Sequence, residues 1–394
     1  MSEKKGITES IRHFPPAWFA VNMGTGAVST LFAVFPYGLH PSTCRALSTA
    51  VFFLNLFLFI LFLSVSLTRY IRHPNIWRIM IRDPVQSLYL STFPMGAVTL
   101  IGVGTTVLHD QYGFGGRAFL FTLWGLWWID VAISFLCCWG LFYVMITKHK
   151  HSHQQMTSVW LLPAVTLIVP SSVGAELALS LHAYSTTSAL TTLAFSIVIL
   201  SIGLVLAFVI LTIYFDRLIL HGFPQGPSIV SSFIPLGPFG QAGFCVLTIG
   251  KFMKEALPVA GSTSPFLGSA QAGEIVFALC VCIGFVLWAI ATMWLVYGLL
   301  GMQHILRRTR ISFALSFWGM IFPNGVYAIL TVTLYQVLDV TFFRVWGAIY
   351  SVFTILLWIL VLCRTVASVP NGRIFDAPCL KEINEKEDLR VVRD

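Results

Sequence analysis

Pro235-Leu236-Gly237-Pro238-Phe239-Gly240-Gln241 stands in the middle of a long apolar segment. Two prolines and two glycines in seven residues interrupt a helical hydrogen-bond ladder, because proline has no N–H and its ring clashes with the preceding turn. In lipid no water replaces the lost partner. Four more apolar segments carry a comparable break: Asn22-Met23-Gly24-Thr25-Gly26, Phe93-Pro94-Met95-Gly96, Pro170-Ser171-Ser172-Val173-Gly174 and Phe322-Pro323-Asn324-Gly325. Each broken segment is followed by an apolar segment without one. The broken helices are therefore expected to face protein or a water-lined cavity, and the plain ones to face lipid.

Composition supports the membrane setting. Hydrophobic residues make up 57% of the 394 and charged residues 10%, against about 25% charged in soluble domains. Segments of about 20 apolar residues, each sufficient to cross a bilayer, recur along the chain. Residues 16–35, 46–70, 87–108, 118–147, 159–183, 190–218, 228–250, 272–304, 312–336 and 341–367 are assigned as ten spans, with the breaks in the odd-numbered ones. Residues 1–15 are read as a cytoplasmic N-terminus, 16–367 as the transmembrane domain and 368–394 as a cytoplasmic tail. Eight cysteines are scattered, most within spans, where cysteine behaves as a small hydrophobe.

The loops set the orientation. The termini and the connections between even and following odd spans hold 19 of the 24 lysines and arginines; the opposite side holds Arg45, Arg117, Lys251, Lys254 and Arg344. The positive-inside rule places both termini in the cytoplasm. The net charge of +8 is then accounted for by loops facing anionic lipid rather than by nucleic-acid binding. Ile71 to Val85, with four arginines from Arg69 to Arg82, reads as an interfacial amphipathic helix. The break points Gly24, Pro94, Pro170, Pro238 and Pro323 are 70, 76, 68 and 85 residues apart, so each interval is one helical hairpin. Repeats of this parity are parallel, related by rotation about the membrane normal. The expected fold is all-α: five hairpins in a pseudo-five-fold ring, with kinked odd helices around a central pore and even helices outside.

His13-Phe14-Pro15-Pro16-Ala17-Trp18-Phe19, Phe35-Pro36-Tyr37, Phe93-Pro94-Met95-Gly96, Leu126-Trp127-Trp128-Ile129-Asp130, Leu236-Gly237-Pro238-Phe239-Gly240-Gln241 and Phe317-Trp318-Gly319-Met320-Ile321-Phe322-Pro323 together resemble the tellurite-resistance/dicarboxylate transporter family. That family includes bacterial TehA, plant slow anion channels, yeast malate permease and fungal sulfite efflux pumps, and the match is closest to the sulfite branch. The resemblance implies a plasma-membrane exporter of a small inorganic anion, sulfite or hydrogensulfite, assembled as a homotrimer. It also implies that a phenylalanine of the ninth span, here Phe322, plugs the pore; Phe93 occupies the same place before Pro94 and is a second candidate. A long acidic or serine-rich C-terminal tail, frequent in the sulfite branch, is absent.

An anion leaving water needs donors in return. Helix restarts after a break offer N–H groups and the favourable dipole end, and Asn22, Thr25, Thr92, Ser171, Ser172, Gln241 and Asn324 sit at or beside the breaks with Gly24, Gly26, Pro94, Gly96, Pro170, Gly174, Pro238, Gly240, Pro323 and Gly325. Each polar side chain either lines the route or bonds the local backbone. Intramembrane charge is rare and marks function or pairing. Glu176 is read as protonated, paired, or a proton-coupling group, and Asp130 as a hydrogen-bonded or salt-bridged helix contact. His149, His151 and His153 are read as a solvated basic loop before a metal site. No cofactor is called for: the chain has neither a G-x-x-x-x-G-K-[S/T] loop nor an H-E-x-x-H or G-x-S-x-G motif. A proton-coupled malate or C4-dicarboxylate carrier and a broader anion channel are the alternatives. The absence of arginine from the odd spans counts against the dicarboxylate carrier. A membrane enzyme is the remote alternative, because no catalytic constellation is visible.

Overall fold

The computed structural model describes residues 6–37, 41–370, 372, 374 and 375. Most of the tail assigned to 368–394, including Cys379, lies outside the described residues. Among the described residues, ten helical segments are long and apolar enough to cross a membrane: Pro16–Val34, Ser42–Arg72, Ser87–His109, Gly116–Thr147, Ser158–His182, Thr186–His221, Gly226–Ala256, Ala270–Leu306, Leu315–Leu338 and Thr341–Ser368. They are called the first to tenth spans below; their ends fall within four residues of the sequence assignment except that of the seventh, which runs six residues further.

Burial divides them by parity. The most apolar stretch of each odd span is between 72% and 94% buried, and that of each even span between 22% and 39%. The even spans are nonetheless the more apolar, the pattern expected where the outer surface meets hydrocarbon rather than water. Packing follows the same division. The first span lies against the third, the third against the fifth, the fifth against the seventh, the seventh against the ninth, and the ninth against the first. Outside this closed circuit, the second span packs on the first, the sixth on the fifth, the eighth on the seventh and the tenth on the ninth; the fourth packs on both the third and the fifth.

The odd spans share a local signature. Each opens on a 3₁₀ segment, Pro16–Trp18, Ser87–Ser91, Ser158–Leu161, Gly226–Phe233 or Leu315–Met320, before winding into an α-helix. Three of the expected breaks coincide with this transition. Pro94, Pro238 and Pro323 stand in the first turn of the α-helices Thr92–Val103, Leu236–Ala256 and Ile321–Leu338, where a missing N–H costs little. Gly24 and Gly26 lie inside the continuous α-helix Phe19–Val34, and Pro170 lies inside Leu162–His182. The third span ends in a π-helical turn, Gly104–His109.

The break glycines serve close packing. A Cβ on Gly240 would lie 3.0 Å from the backbone of residues 326 and 327 on the ninth span, and one on Gly26 would overlap Thr99 Oγ1 on the third. Gly24 faces Ile321, Gly96 faces Asn22, Gly325 faces Ala27, and Gly174 faces Trp127 and Ser196. Outer tryptophans tie the layers together: Trp358 Nε1 donates to Thr25 Oγ1 at 3.2 Å, Trp127 Nε1 to the Pro170 carbonyl at 2.8 Å and Trp288 Nε1 to Thr331 Oγ1 at 2.9 Å. Between the second and third spans, Pro74–Arg82 forms the short amphipathic helix, with Ile76 and Met80 buried and Trp77 exposed.

Candidate functional site

Two cavities lie among the odd spans, and each is lined by residues from all five of them. The larger, about 200 Å³, is set among the N-terminal halves. Ala20 and Met23 come from the first span, Tyr89 and Thr92 from the third, Leu162 and Val165 from the fifth, Ser231, Ile234 and Pro238 from the seventh, and Ser316, Gly319, Phe322 and Pro323 from the ninth. The smaller, about 40 Å³, is lined by Ala27 and Thr30, Thr99 and Gly102, Val173 and Glu176, Gln241 and Phe244, and Val326 and Ile329, with Gly26, Val169 and Phe322. One water needs roughly 10–15 Å³ of such space, so the smaller cavity holds a few. Phe322 borders both cavities and is 5% exposed.

The lining repeats in register. Counted from Gly24, Gly96, Pro170, Pro238 and Pro323, the residues three and six positions later are Ala27 and Thr30, Thr99 and Gly102, Val173 and Glu176, Gln241 and Phe244, and Val326 and Ile329. All ten line the smaller cavity. Four positions before the same points stand Ala20, Thr92, Ile234 and Gly319, which line the larger one; in the fifth span Val165 does so, one position earlier. This spacing is one face of a helix. In the third span the register point is Gly96, two residues after the Pro94 chosen from sequence. Immediately before the register points are Met23, Met95, Val169, Gly237 and Phe322. Phe322 is the one aromatic ring at this level.

Of the other residues singled out in the sequence, Thr92, Gln241, Glu176, Gly26, Pro238 and Pro323 line a cavity. Thr92 Oγ1 also donates to the carbonyl of Tyr89 at 2.6 Å or of Pro16 at 3.0 Å. Gln241 Nε2 donates to Ser172 Oγ, which itself donates to the Val169 carbonyl at 2.8 Å. Asn22, Thr25, Ser171, Ser172 and Asn324 line neither cavity. Asn22 Nδ2 donates to Asn55 Oδ1 at 2.9 Å on the second span, and Thr25 accepts from Trp358 on the tenth. Ser171 Oγ donates to the Ile168 carbonyl at 2.6 Å. Asn324 Nδ2 donates to the Met320 carbonyl at 2.7 Å, while its Oδ1 accepts from Tyr350 on the tenth span. Pro94, Pro170 and the remaining break glycines sit in the packing layer.

Phe93 and Asp130 belong to the periphery. Phe93 stacks on Phe59 of the second span, centroids 5.8 Å apart, and meets Phe19 edge-on at 5.1 Å. Both line a lateral apolar groove of about 630 Å³ between the second, third and fourth spans. Asp130 is 4% exposed and accepts from Ser134 Oγ at 3.5 Å. The histidines of the loop after the fourth span go to separate partners: His149 to the Ile81 carbonyl, His151 to the Met145 carbonyl, and His153 to His221 and Asp216.

Ser231, Ser316, Thr30 and Thr99 line the cavities and were not picked out from sequence. The signal that finds them is the helical register measured from the break points. No lysine, arginine or histidine lines either cavity among the described residues; Glu176 is the one ionisable carboxyl that does.

The model of the voltage-dependent anion channel family matches residues 13–366. The chain is 34% identical over 369 residues to the sulfite efflux pump of Arthroderma benhamiae, covering 93% of each chain. It is 23% identical to the malic acid transport protein of Schizosaccharomyces pombe, over 90% of this chain and 78% of that one. An uncharacterized transporter of Methanocaldococcus jannaschii is 24% identical over 93% of this chain and 97% of its own.

Proposed function

Because the chain belongs to the voltage-dependent anion channel family, we propose that it exports a small inorganic anion, sulfite or hydrogensulfite, along the axis of a five-hairpin ring. The observation that carries this reading is the pair of cavities lined by all five odd spans in one helical register, inside a closed circuit of odd-span contacts. With both termini cytoplasmic, as the 19 to 5 charge split argues, the larger cavity is the inner vestibule and the smaller one lies toward the outside. Phe322 is the gate between them.

The chemistry of the lining fits a permeant rather than a tightly held ion. Hydroxyls and the amides of Gln155 and Gln241 offer neutral hydrogen bonds, and conduction needs binding strong enough to enter and weak enough to leave. An interior-negative potential favours anion export by about 2.3 kcal/mol per charge per 100 mV. Sulfite is favoured as the substrate by the relative that shares 93% of its length with this chain. A C4-dicarboxylate carries two separated charges, for which bidentate arginine is the usual partner, and neither cavity is lined by one. The plasma membrane as location and a homotrimer as assembly belong to the same reading.

Flux into proteoliposomes, compared for sulfite, malate, nitrate and chloride, tests it. Sulfite carried in excess over malate is the expected result. Malate carried in excess over sulfite, or no anion carried above empty liposomes, would refute it.

A further inference from the structure

Glu176 has no role in the gate, yet it is the one acidic side chain on the route. It sits six residues after Pro170 in the register layer of the smaller cavity, level with Thr30, Gly102, Phe244 and Ile329. Its Oε2 lies 3.4 Å from where a Cβ on Gly102 would stand, so the carboxyl reaches across toward the third span. No lysine, arginine or histidine nitrogen comes within 4.0 Å of it among the described residues. An ionised carboxylate in a small apolar cavity without a cation is costly, and on this route it would repel the permeant anion.

The groups around it run outward. At the end of the third span His109 Nδ1 and Asp110 Oδ1 are 2.6 Å apart, and Ser180 Oγ, one turn beyond Glu176, donates to Asp110 Oδ2 at 2.9 Å. Asp110 is 41% exposed, so this cluster reaches the surface. The seventh span contributes the neutral Gln241 and the thiol of Cys245, the first span Thr30, and the ninth span apolar side chains. Of the two charges on the fourth span, Asp130 faces the lateral groove and Arg117 lies over the Phe121 ring at its start, and neither lines this cavity. The sixth span presents Ser196 near Gly174 and no charged group to this cavity.

We propose that Glu176 is the proton-bearing site of the route. As the neutral acid it donates its O–H to the passing anion, and as the carboxylate it closes the smaller cavity to anions, with protons exchanging along Ser180, Asp110 and His109. The acid keeps its proton during passage, so it contributes a hydrogen bond and no net transfer. This inference rests on the axial route proposed above.

The test is sulfite flux into proteoliposomes at equal pH on both sides, from about pH 5 to about pH 10, for the wild type and Glu176→Gln. The ratio of the two fluxes cancels the change in sulfite speciation. Glutamine keeps a donor at all pH values, so the ratio rises with pH, approaching tenfold per unit once the carboxyl ionises. A ratio flat with pH overturns the inference, as does a well-folded Glu176→Gln protein inactive throughout. Should that variant fail to elute as a single species, Asp110→Asn decides. A displaced midpoint of the pH profile supports the inference and an unchanged profile overturns it. Absence of wild-type flux would instead count against the transport reading itself.

Discussion

Truncating Phe322 to alanine is the most direct probe of the axial route. The ring borders a cavity of about 200 Å³ on one side and one of about 40 Å³ on the other, and its removal joins them. Phe→Ala in a fully packed core costs about 3–5 kcal/mol. Here two faces of the ring already border cavities, so the loss should fall at or just below the lower end of that range, about 2–3 kcal/mol. The effect on permeation has the opposite sign. An ion crossing an apolar constriction loses water without gaining donors, a penalty of several kcal/mol. Relief of even about 1.4–2.8 kcal/mol of that barrier raises flux about 10- to 100-fold. Proteoliposomes with matched protein content, loaded with sulfite and diluted into sulfite-free buffer, give the rates. Phe322→Ala flux equal to or below wild type, in protein that elutes as wild type does, would show that the ring does not separate the two cavities along the route.

Other perturbations examine the frame and the orientation. Gly240→Ala puts a methyl 3.0 Å from ninth-span backbone, an overpacking that should cost about 1–3 kcal/mol and lower the melting temperature in detergent; an unchanged melting point would contradict the contact. Tyr350→Phe removes the donor to Asn324 Oδ1 and should cost about 1 kcal/mol, with sulfite flux within about twofold of wild type. A large flux change would mean that Asn324 acts on the route after all. In intact cells a membrane-impermeant thiol reagent should label Ser262→Cys and spare Thr309→Cys, the pattern required by a cytoplasmic N-terminus; the reverse pattern inverts the vestibule.

The layer each span occupies was legible in the sequence because it follows from a local property. Apart from Pro170, the Pro and Gly residues that mark the odd spans serve helix starts and close helix packing rather than mid-span breaks, and the odd spans are the buried ones. The amphipathic helix Pro74–Arg82, read from sequence within residues 71–85, was legible from another local property, its apolar and basic residues recurring with helical period. The rotation of each inner helix about its own axis was not. These helices are apolar on every side, so no amphipathic stripe distinguishes the face toward the axis from the face toward the outer layer. Asn22, Thr25 and Asn324 stand beside breaks, yet their partners Asn55, Trp358 and Tyr350 come from even spans, hundreds of residues away for Thr25. Phe93 precedes a proline as Phe322 does, but the register of the third span falls on Gly96, which turns Phe93 toward Phe59. A motif read in one dimension placed it two residues out of phase.

The neutrality of the lining has a consequence for which chemical species travels. Where only hydroxyl, amide and protonated carboxyl groups replace the hydration shell, no fixed cation offsets the desolvation of a second negative charge. The Born cost grows as the square of the charge, about fourfold from a monoanion to a dianion of similar size. On the proposed route, cavities that pass the singly charged acid salt would disfavour its conjugate base, and a rise in cytosolic pH would throttle export by changing the cargo as well as the protein.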